Sequence, residues 1–150
     1  KRLLPDIFKS IYQKKILKVR SPNSIRPWQN ILDVVIAYLL IPINQKKRQY
    51  KFDNWNVGPS KKESKLRVLD IIKKIKKFNK NFRFSKKKVN FKESQYLLLN
   101  NNKIKSIGWK NKNSLDDTLK QTTKWYDLYY KSKNKELTKF TDELIKKNLS

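Results

Sequence analysis

The sequence contains no cysteine, no histidine and no methionine, and only two of its 150 residues are glycine. Without cysteine, a disulfide framework and a thiol nucleophile are excluded, and the composition suits a reducing cytoplasm. Without histidine there is neither a zinc site of the ordinary kind nor a Ser-His pair. A dinucleotide-binding turn needs several closely spaced glycines, which Gly58 and Gly108 cannot supply. The sequence thus excludes a cofactor-binding fingerprint and most nucleophilic chemistry within this chain.

Long apolar runs are also missing. The longest, from Ile31 to Ile43, is interrupted by Asp33 and Pro42 and is too short to span a bilayer. No signal peptide is visible at the start of the sequence. The absence of methionine, even at position 1, predicts a fragment that lacks its natural start. We therefore expect part of a cytoplasmic protein that has no membrane partner.

Acidic residues are scarce, since 12 Asp and Glu stand against 38 Lys and Arg and the net charge is +26. Such an excess by default indicates a polyanionic partner such as nucleic acid. However, all but six of the basic residues are lysines, spread from end to end among many Asn and Ile. AT-rich codons encode this set, whereas sequence-reading nucleic-acid binders rely more on Arg. We interpret the charge as compositional drift without a specific nucleic-acid partner, and keep a basic nucleic-acid-binding module as the rival hypothesis.

The apolar periodicity predicts helices that alternate with short strands, and hence an α/β fold. The predicted helices cover residues 2–12, 32–41, 68–78, 100–107, 115–131 and 137–149, and the predicted strands cover 16–19, the segment around 26, 52–57, 82–85 and 96–99. Two capping boxes are predicted, at residues 60–63 and 114–117.

The predicted helix at residues 32–41 is apolar on every side, so we expect it to be largely buried. Pro42 should end or kink this helix, because proline has no backbone N–H and clashes with the preceding turn. Residues 44–51 are then predicted to form a loop that carries four basic residues.

The stretch from Ser24 to Leu32 is the part of the sequence least diluted by lysine. Pro27 restricts the residue before it to extended backbone, so Arg26 should lie on a strand and not in a helix. An arginine held in this way, facing a pocket, suits bidentate binding of a phosphate or carboxylate. The alternative is a strand-end arginine beside a core tryptophan, Trp28, and these residues alone favour neither reading.

Four segments carry a family resemblance, namely Arg2-Leu3-Leu4-Pro5-Asp6, Ile25-Arg26-Pro27-Trp28-Gln29, Trp55-Asn56-Val57-Gly58-Pro59, and Ile107-Gly108-Trp109 followed by residues 115–126. In order and spacing they resemble the C-terminal part of the CDP-glucose 4,6-dehydratases, which are extended short-chain dehydrogenase/reductases. The resemblance covers nearly the whole chain, and the Pro-Trp-Gln ending favours this branch over related dTDP- and UDP-sugar enzymes. Asn30 stands where the family often has histidine.

The resemblance implies a lyase reaction of polysaccharide (O-antigen) biosynthesis, the NAD-assisted dehydration of CDP-glucose to CDP-4-keto-6-deoxyglucose. It implies an extended Rossmann-type enzyme of which residues 1–150 are the C-terminal substrate-binding portion. The Gly-rich cofactor loop, the catalytic Tyr-x-x-x-Lys pair and the acidic residues that eliminate water belong to the family's N-terminal part. The resemblance therefore implies no catalytic residue and no metal ligand here, and we expect the chain alone to bind no NAD and to be inactive.

The resemblance further implies that this portion binds the nucleotide sugar. The positions that correspond to substrate-binding residues are Arg2, Leu3, Val19, Arg20, Arg26 and Asn56. Arg2 and Arg26 correspond to basic residues at the diphosphate, and Asn56 to an amide that donates to a phosphate. The other three correspond to residues that line the nucleoside pocket.

For the full-length enzyme the resemblance implies bound NAD, a nucleotide-sugar substrate and a homo-oligomer. The strand near 55–57 and the helix at 32–41 would then pack on the N-terminal NAD domain. Without that domain we expect exposed apolar surface, and a chain that aggregates or folds loosely. Another NAD-dependent nucleotide-sugar epimerase or dehydratase, with a different base or sugar, is the close alternative.

Overall fold

The computed structural model of the protein describes residues 2–48, 54–61, 63–87, 94–132 and 134–149. The helices in these residues are α1 (Leu3–Tyr12), α2 (Ile31–Arg48), α3 (Val68–Phe78), α4 (Asn102–Ser106), α5 (Leu115–Lys131) and α6 (Asn134–Leu149), the strands are β1 (Leu17–Val19) and β2 (Phe84–Lys86), and a single 3-10 turn spans Glu63–Lys65. The predicted helices at 2–12, 68–78, 100–107 and 115–131 are confirmed, and α6 begins three residues before its predicted start.

The two strands pair in parallel, in a register that sets Leu17 opposite Phe84 and Val19 opposite Lys86. Neighbouring parallel strands need a long crossover connection, which here runs through α2 and α3. This helix-dominated arrangement with a small parallel sheet is compatible with the predicted α/β class.

The centre of the main core comes from α3. Ile71, Ile72 and Ile75 have no exposed surface, and their spacing places them on one face of the helix. The same cluster contains buried residues of α1, β1, α5 and the segment before β2, namely Ile7, Phe8, Leu17, Val19, Phe82, Leu115 and Leu119. Each such burial stabilises the fold by about 1.5–3 kcal/mol. Phe78, predicted on the same stripe, lies at its end and remains half exposed.

A second, smaller cluster lies between α2 and α4. Its buried members are Ala37, Ile104 and Trp109. The indole Nε1–H of Trp109 donates to the backbone carbonyl of Asp33 at 2.9 Å, so burial of this ring leaves no unpaired donor. The Gly-Trp segment is therefore a packing element that attaches the loop before α5 to the start of α2.

The capping box predicted at 114–117 is confirmed, since Ser114 Oγ accepts the N–H of Asp117 at 3.1 Å at the start of α5. The pattern at 60–63 also forms, with Glu63 N donating to Ser60 Oγ at 3.3 Å. It opens only the 3-10 turn. One Glu63 carboxylate oxygen accepts the Ser60 hydroxyl at 3.0 Å, and the other accepts the N–H of Leu115 at 2.6 Å. This acidic residue thus satisfies a donor of the first turn of α5 from a distant part of the chain.

The predictions around α2 fail in part. The helix continues through Pro42 to Arg48, so the proline does not end it and residues 44–48 are helical. Residues 49–51 of the predicted loop lie outside the described residues. Proline has no backbone N–H, so Tyr38 O lacks its usual intrahelical donor, and nearby Asn44 Nδ2 donates to Leu40 O at 3.0 Å. The helix is also not buried within this chain, because only one face meets the small cluster, and Ile31 and Tyr38 are 70% and 66% exposed.

The strand predictions were less accurate than the helix predictions. Residues 54–57 are irregular, and residues 52–53 of that predicted strand lie outside the described residues. β2 begins two residues after the predicted start because Phe82 turns into the core. Of the predicted strand at 96–99, Tyr96 makes a single bridge. Within the described residues, no helix is both long enough and apolar enough for a membrane crossing.

Candidate functional site

The segment that carries Arg26 lies on extended backbone, as Pro27 predicts. Ile25 bridges to Tyr96 on one side and to Arg67 on the other. The N–H of Arg26 donates to Leu66 O at 3.4 Å, which continues the second bridge. Single bridges take the place of the strand that we predicted, and they hold this segment between the approach to α3 and residues 95–97.

The side chain of Arg26 is half-buried, and its Nη1 donates to the carbonyl of Ile25 at 2.8 Å. Trp28 packs against the main core and donates its Nε1–H to Leu66 O at 3.0 Å. The tryptophan is thus a partly buried packing residue of the main core.

The next two residues connect this segment to the rest of the chain. Gln29 Nε2 donates to Val57 O at 2.9 Å and attaches the irregular stretch 54–60. Asn30 caps α2, because its Oδ1 accepts the N–H of Leu32 at 2.8 Å. The amide nitrogen of Asn30 donates to Thr118 and to Gln121 on α5, each at 3.2 Å. Asn30 is therefore a buried structural link between α2 and α5.

A cavity of about 470 Å³ adjoins this segment, between the start of α1, residues 29–32, α5 and α6. Its lining includes Arg2, Gln29, Asn30, Gln121 and Tyr126 together with apolar side chains. In the described part of the chain, Gln29 Oε1 is buried without a hydrogen-bond partner. A mainly apolar wall with a few polar groups and one cation is typical of a small-molecule site.

Burial raises the pKa of Tyr126, which lines this cavity and stacks on Phe8 at 4.4 Å between ring centroids. Its hydroxyl therefore stays protonated at neutral pH and remains a neutral donor. One turn further along the same face of α1, burial and the hydrogen bond to Asp127 raise the pKa of Tyr12. The hydrogen bonds from Lys131 and Tyr12 hold the pKa of Asp127 below its ordinary value.

Of the six predicted site residues, Arg2 alone lines this cavity, where it is exposed at the start of α1. Asn56 is exposed and lies next to Val57, the residue that binds Gln29. Arg26 is three residues from Gln29 along the same segment. Gln29 thus lies close to the segments that carry Arg2, Arg26 and Asn56, the three predicted phosphate ligands.

The three residues predicted for the nucleoside pocket are less closely grouped. Leu3 is half-buried and packs against the main core, and Val19 is 3% exposed within it. Arg20 is exposed directly after β1. A turn in which Ser24 N donates to Ser21 O at 3.2 Å then leads from Arg20 towards Arg26. Of this group, Arg20 offers a ligand the most accessible side chain.

Sequence reasoning missed Asp33, which is 1% exposed at the start of α2. Its Oδ1 accepts the N–H of Lys112 at 3.2 Å and the side-chain amide of Asn113 at 3.0 Å. The same amide donates to Asn148 Oδ1 on α6 at 2.6 Å. One acidic residue within an apolar run was the available signal, but its partners are about 80 positions away.

The residues present do not fit NAD. Gly58 is needed for packing, since an added Cβ would lie 3.1 Å from Leu99 Cβ, and Gly108 follows α4 with a φ of +89°. Neither opens a helix after a strand, which is the geometry that cradles a dinucleotide pyrophosphate. Among the described residues, no cluster of three acidic side chains could hold a metal ion.

A scan against models of protein families finds no match for the chain. A search of curated proteins finds similarity to the CDP-glucose 4,6-dehydratase of Salmonella typhimurium, with 27% identity over 136 residues. The chain resembles part of that enzyme. The match covers 89% of this chain but 38% of the relative, so the chain spans about two fifths of the length of the curated protein that it matches.

Proposed function

We propose that this chain is the substrate-binding portion of a nucleotide-sugar 4,6-dehydratase that acts on CDP-glucose. The observation that carries the proposal is the similarity over 89% of the chain to a protein named for that reaction. The expected substrate carries two phosphates joined to a nucleoside and a sugar, so its site needs cations, amide donors and an apolar wall. The position of Gln29 supports this. Gln29 lines the same cavity as Arg2, lies three residues after Arg26, and donates to the carbonyl of the residue that follows Asn56.

In this proposal the chain binds and orients the nucleotide sugar. The catalytic groups belong to the part of the enzyme that corresponds to the unmatched part of the relative. NAD supplies hydride transfer when it is bound to that part. Arg26 is the diphosphate ligand, with Arg2 and the first N–H groups of α1 nearby as further donors. Asn56 donates to a phosphate, whereas Leu3, Val19 and Arg20 border the nucleoside. The same proposal gives the full-length enzyme an extended Rossmann-type fold, a cytoplasmic location and a homo-oligomeric state.

The experiment is a chimera in which this chain replaces the matched segment of the Salmonella enzyme. Arg26→Lys keeps the charge but loses the planar pair of donors. One charge-assisted hydrogen bond is worth about 1.5–3 kcal/mol, so CDP-glucose binding should weaken about 10- to 100-fold. The melting temperature without ligand should stay nearly unchanged.

Lys120→Arg is the control, because Lys120 is exposed on α5 and lines neither the cavity beside Gln29 nor any predicted site segment. It should leave both measurements unchanged. UDP-glucose is titrated in parallel, and tighter binding of UDP-glucose would favour the alternative nucleotide-sugar enzyme. A lower melting temperature for Arg26→Lys with unchanged affinity would assign a structural role to Arg26. A chimera that binds neither nucleotide sugar would contradict the proposed function itself.

A further inference from the structure

A second cleft lies at the end of β1 and β2 opposite to Val19 and Arg20. It has a volume of about 490 Å³ and opens between the end of α1, the end of α3 and the turn into β2. Its lining residues are Ser10, Ile11, Lys14, Lys15, Lys76, Asn79, Lys80, Asn81, Phe82 and Arg83. Half of them are basic, against about a quarter of the whole chain, and none is acidic.

The parallel pairing fixes where this cleft lies. Lys15 and Arg83 precede β1 and β2, and Leu17 N donates to Arg83 O at 3.1 Å at that end of the sheet. Arg20 follows β1 at the other end, where Lys87 N donates to Val19 O at 2.8 Å. The basic cleft therefore lies at the end of the strands opposite to the one where the proposed nucleoside residues lie.

Compensation of helix dipoles accounts for part of this charge. α1 and α3 both end at the cleft, and each helix terminus is equivalent to about half a negative charge. Five cations exceed that by about four charges. In the described part of the chain, the ion pairs are Lys74–Asp116 and Lys131–Asp127, so carboxylates there do not neutralise the five. All five side chains are exposed and accessible to a ligand.

We propose that this cleft binds an oligophosphate, a compact anion with several phosphates joined in a chain. Phosphate oxygens carry closely spaced negative charges, which lysines around one concave surface can contact together. A single-stranded nucleic acid fits less well, because its binding sites combine cations with exposed aromatic rings for base stacking. The aromatic residue of this lining, Phe82, is 1% exposed and belongs to the main core.

Lys14 offers a clean way to test the cleft. It has a φ of 54°, in the left-handed region where glycine is favoured. Lys14 N donates to Ile11 O at 3.1 Å and Lys15 N to Ser10 O at 2.9 Å, the two bonds of a Schellman motif. Lys14→Gly therefore removes one cation while it keeps the backbone conformation that this helix end requires.

The test is a titration of the 150-residue chain with inorganic tripolyphosphate at low ionic strength. The cleft variant combines Lys14→Gly, Lys80→Gln and Arg83→Gln. Exposed charge pairs are each worth a modest amount, so three together should weaken binding about 10- to 100-fold. The melting temperature without ligand should not fall, which separates lost binding from lost folding.

The control variant makes the same change in net charge elsewhere, with Lys105→Gln, Lys110→Gln and Lys120→Gln at exposed positions outside the cleft. It should change the affinity less than about threefold, because a general charge effect is weak compared with direct contacts. Equal losses in the two variants, or no binding of tripolyphosphate by the parent chain, would overturn the proposal.

A nucleoside triphosphate and a single-stranded oligonucleotide are titrated as further probes. Binding of the nucleoside triphosphate with the same loss in the cleft variant supports the oligophosphate chemistry and identifies a nucleotide as its source. An oligonucleotide that binds through the cleft and that tripolyphosphate does not displace would overturn the proposal in favour of a nucleic-acid site.

Discussion

Asp33→Ala should be among the most destabilising single substitutions in this chain. Asp33 is 1% exposed, and its carboxylate connects the start of α2 to residues 112–113 before α5. Through Asn113 the network continues to Asn148 on α6, at 2.6 Å. An alanine would leave the backbone N–H of Lys112 without its acceptor and would weaken the connection between three helices.

The magnitude follows from the two shorter bonds, at 3.0 and 3.2 Å, because a third contact from Asn113 N at 3.5 Å is at the limit. Hydrogen bonds to a charged acceptor contribute about 1.5–3 kcal/mol each, and burial of the carboxylate offsets part of this. We expect Asp33→Ala to lower the free energy of unfolding by about 3 kcal/mol. Asp33→Asn keeps one oxygen acceptor but places its side-chain NH₂ group opposite N–H donors. We therefore expect it to lower the free energy of unfolding by about half as much as Asp33→Ala.

The measurement is urea unfolding, followed by tryptophan fluorescence, on each variant at neutral pH. Asp142→Ala, at an exposed acidic position on α6, is the control and should change the unfolding free energy by less than about 0.5 kcal/mol. A double-mutant cycle of Asp33→Ala with Asn113→Ala should give a coupling energy of about 1 kcal/mol or more. The reasoning is refuted if Asp33→Ala costs no more than Asp142→Ala, or if the cycle shows no coupling.

Two further stability predictions concern other links of α5. Glu63→Gln should cost about 1 kcal/mol in urea unfolding, since the carboxylate accepts Leu115 N at 2.6 Å at the positive end of the helix. A cost no larger than that of Glu143→Gln, at an exposed position away from the start of α6, would contradict this. Tyr12→Phe removes the hydrogen bond of 2.6 Å to Asp127 and should cost about 1 kcal/mol at neutral pH. Because the folded pKa of Tyr12 is raised and that of Asp127 is lowered, this cost should shrink above about pH 10 and below about pH 4. A cost that is independent of pH would refute that linkage.

Local signals in the sequence were enough to predict most helices. The apolar stripe of α3 and the Ser114 cap of α5 each depend on residues within a few positions of one another. Pro27 likewise determines the extended backbone of Arg26 through the neighbouring ring alone. These features do not need knowledge of the rest of the chain, so periodicity and turn chemistry identify them.

Predictions failed where distant residues decide the outcome. Pro42 does not end α2, because packing of Ala37 on Ile104 and Trp109 anchors the helix before the proline, and the helix continues to Arg48. The Ser60 capping box forms, but its Glu63 carboxylate also caps α5, which no local pattern predicts.

The candidate site also combines features that local sequence predicts with features that depend on distant residues. Arg26 and Trp28 could be singled out from Pro27 and from the family resemblance. The cavity beside them could not, because it needs α5 and α6, which lie about 90 or more residues further along the chain. Gln29 and Asn30, which connect the segments of the site, are ordinary amides in the sequence and become informative through their partners alone.

The exposed face of α2 bears on how this chain works. Ile31, Tyr38, Leu39 and Ile43 are each more than half exposed on one helix, and soluble monomers rarely leave such a surface uncovered. The relative that the chain matches is more than twice as long, and the residues described here do not fit NAD. We therefore propose that this face packs on a cofactor-binding portion, where each large side chain could contribute about 1.5–3 kcal/mol.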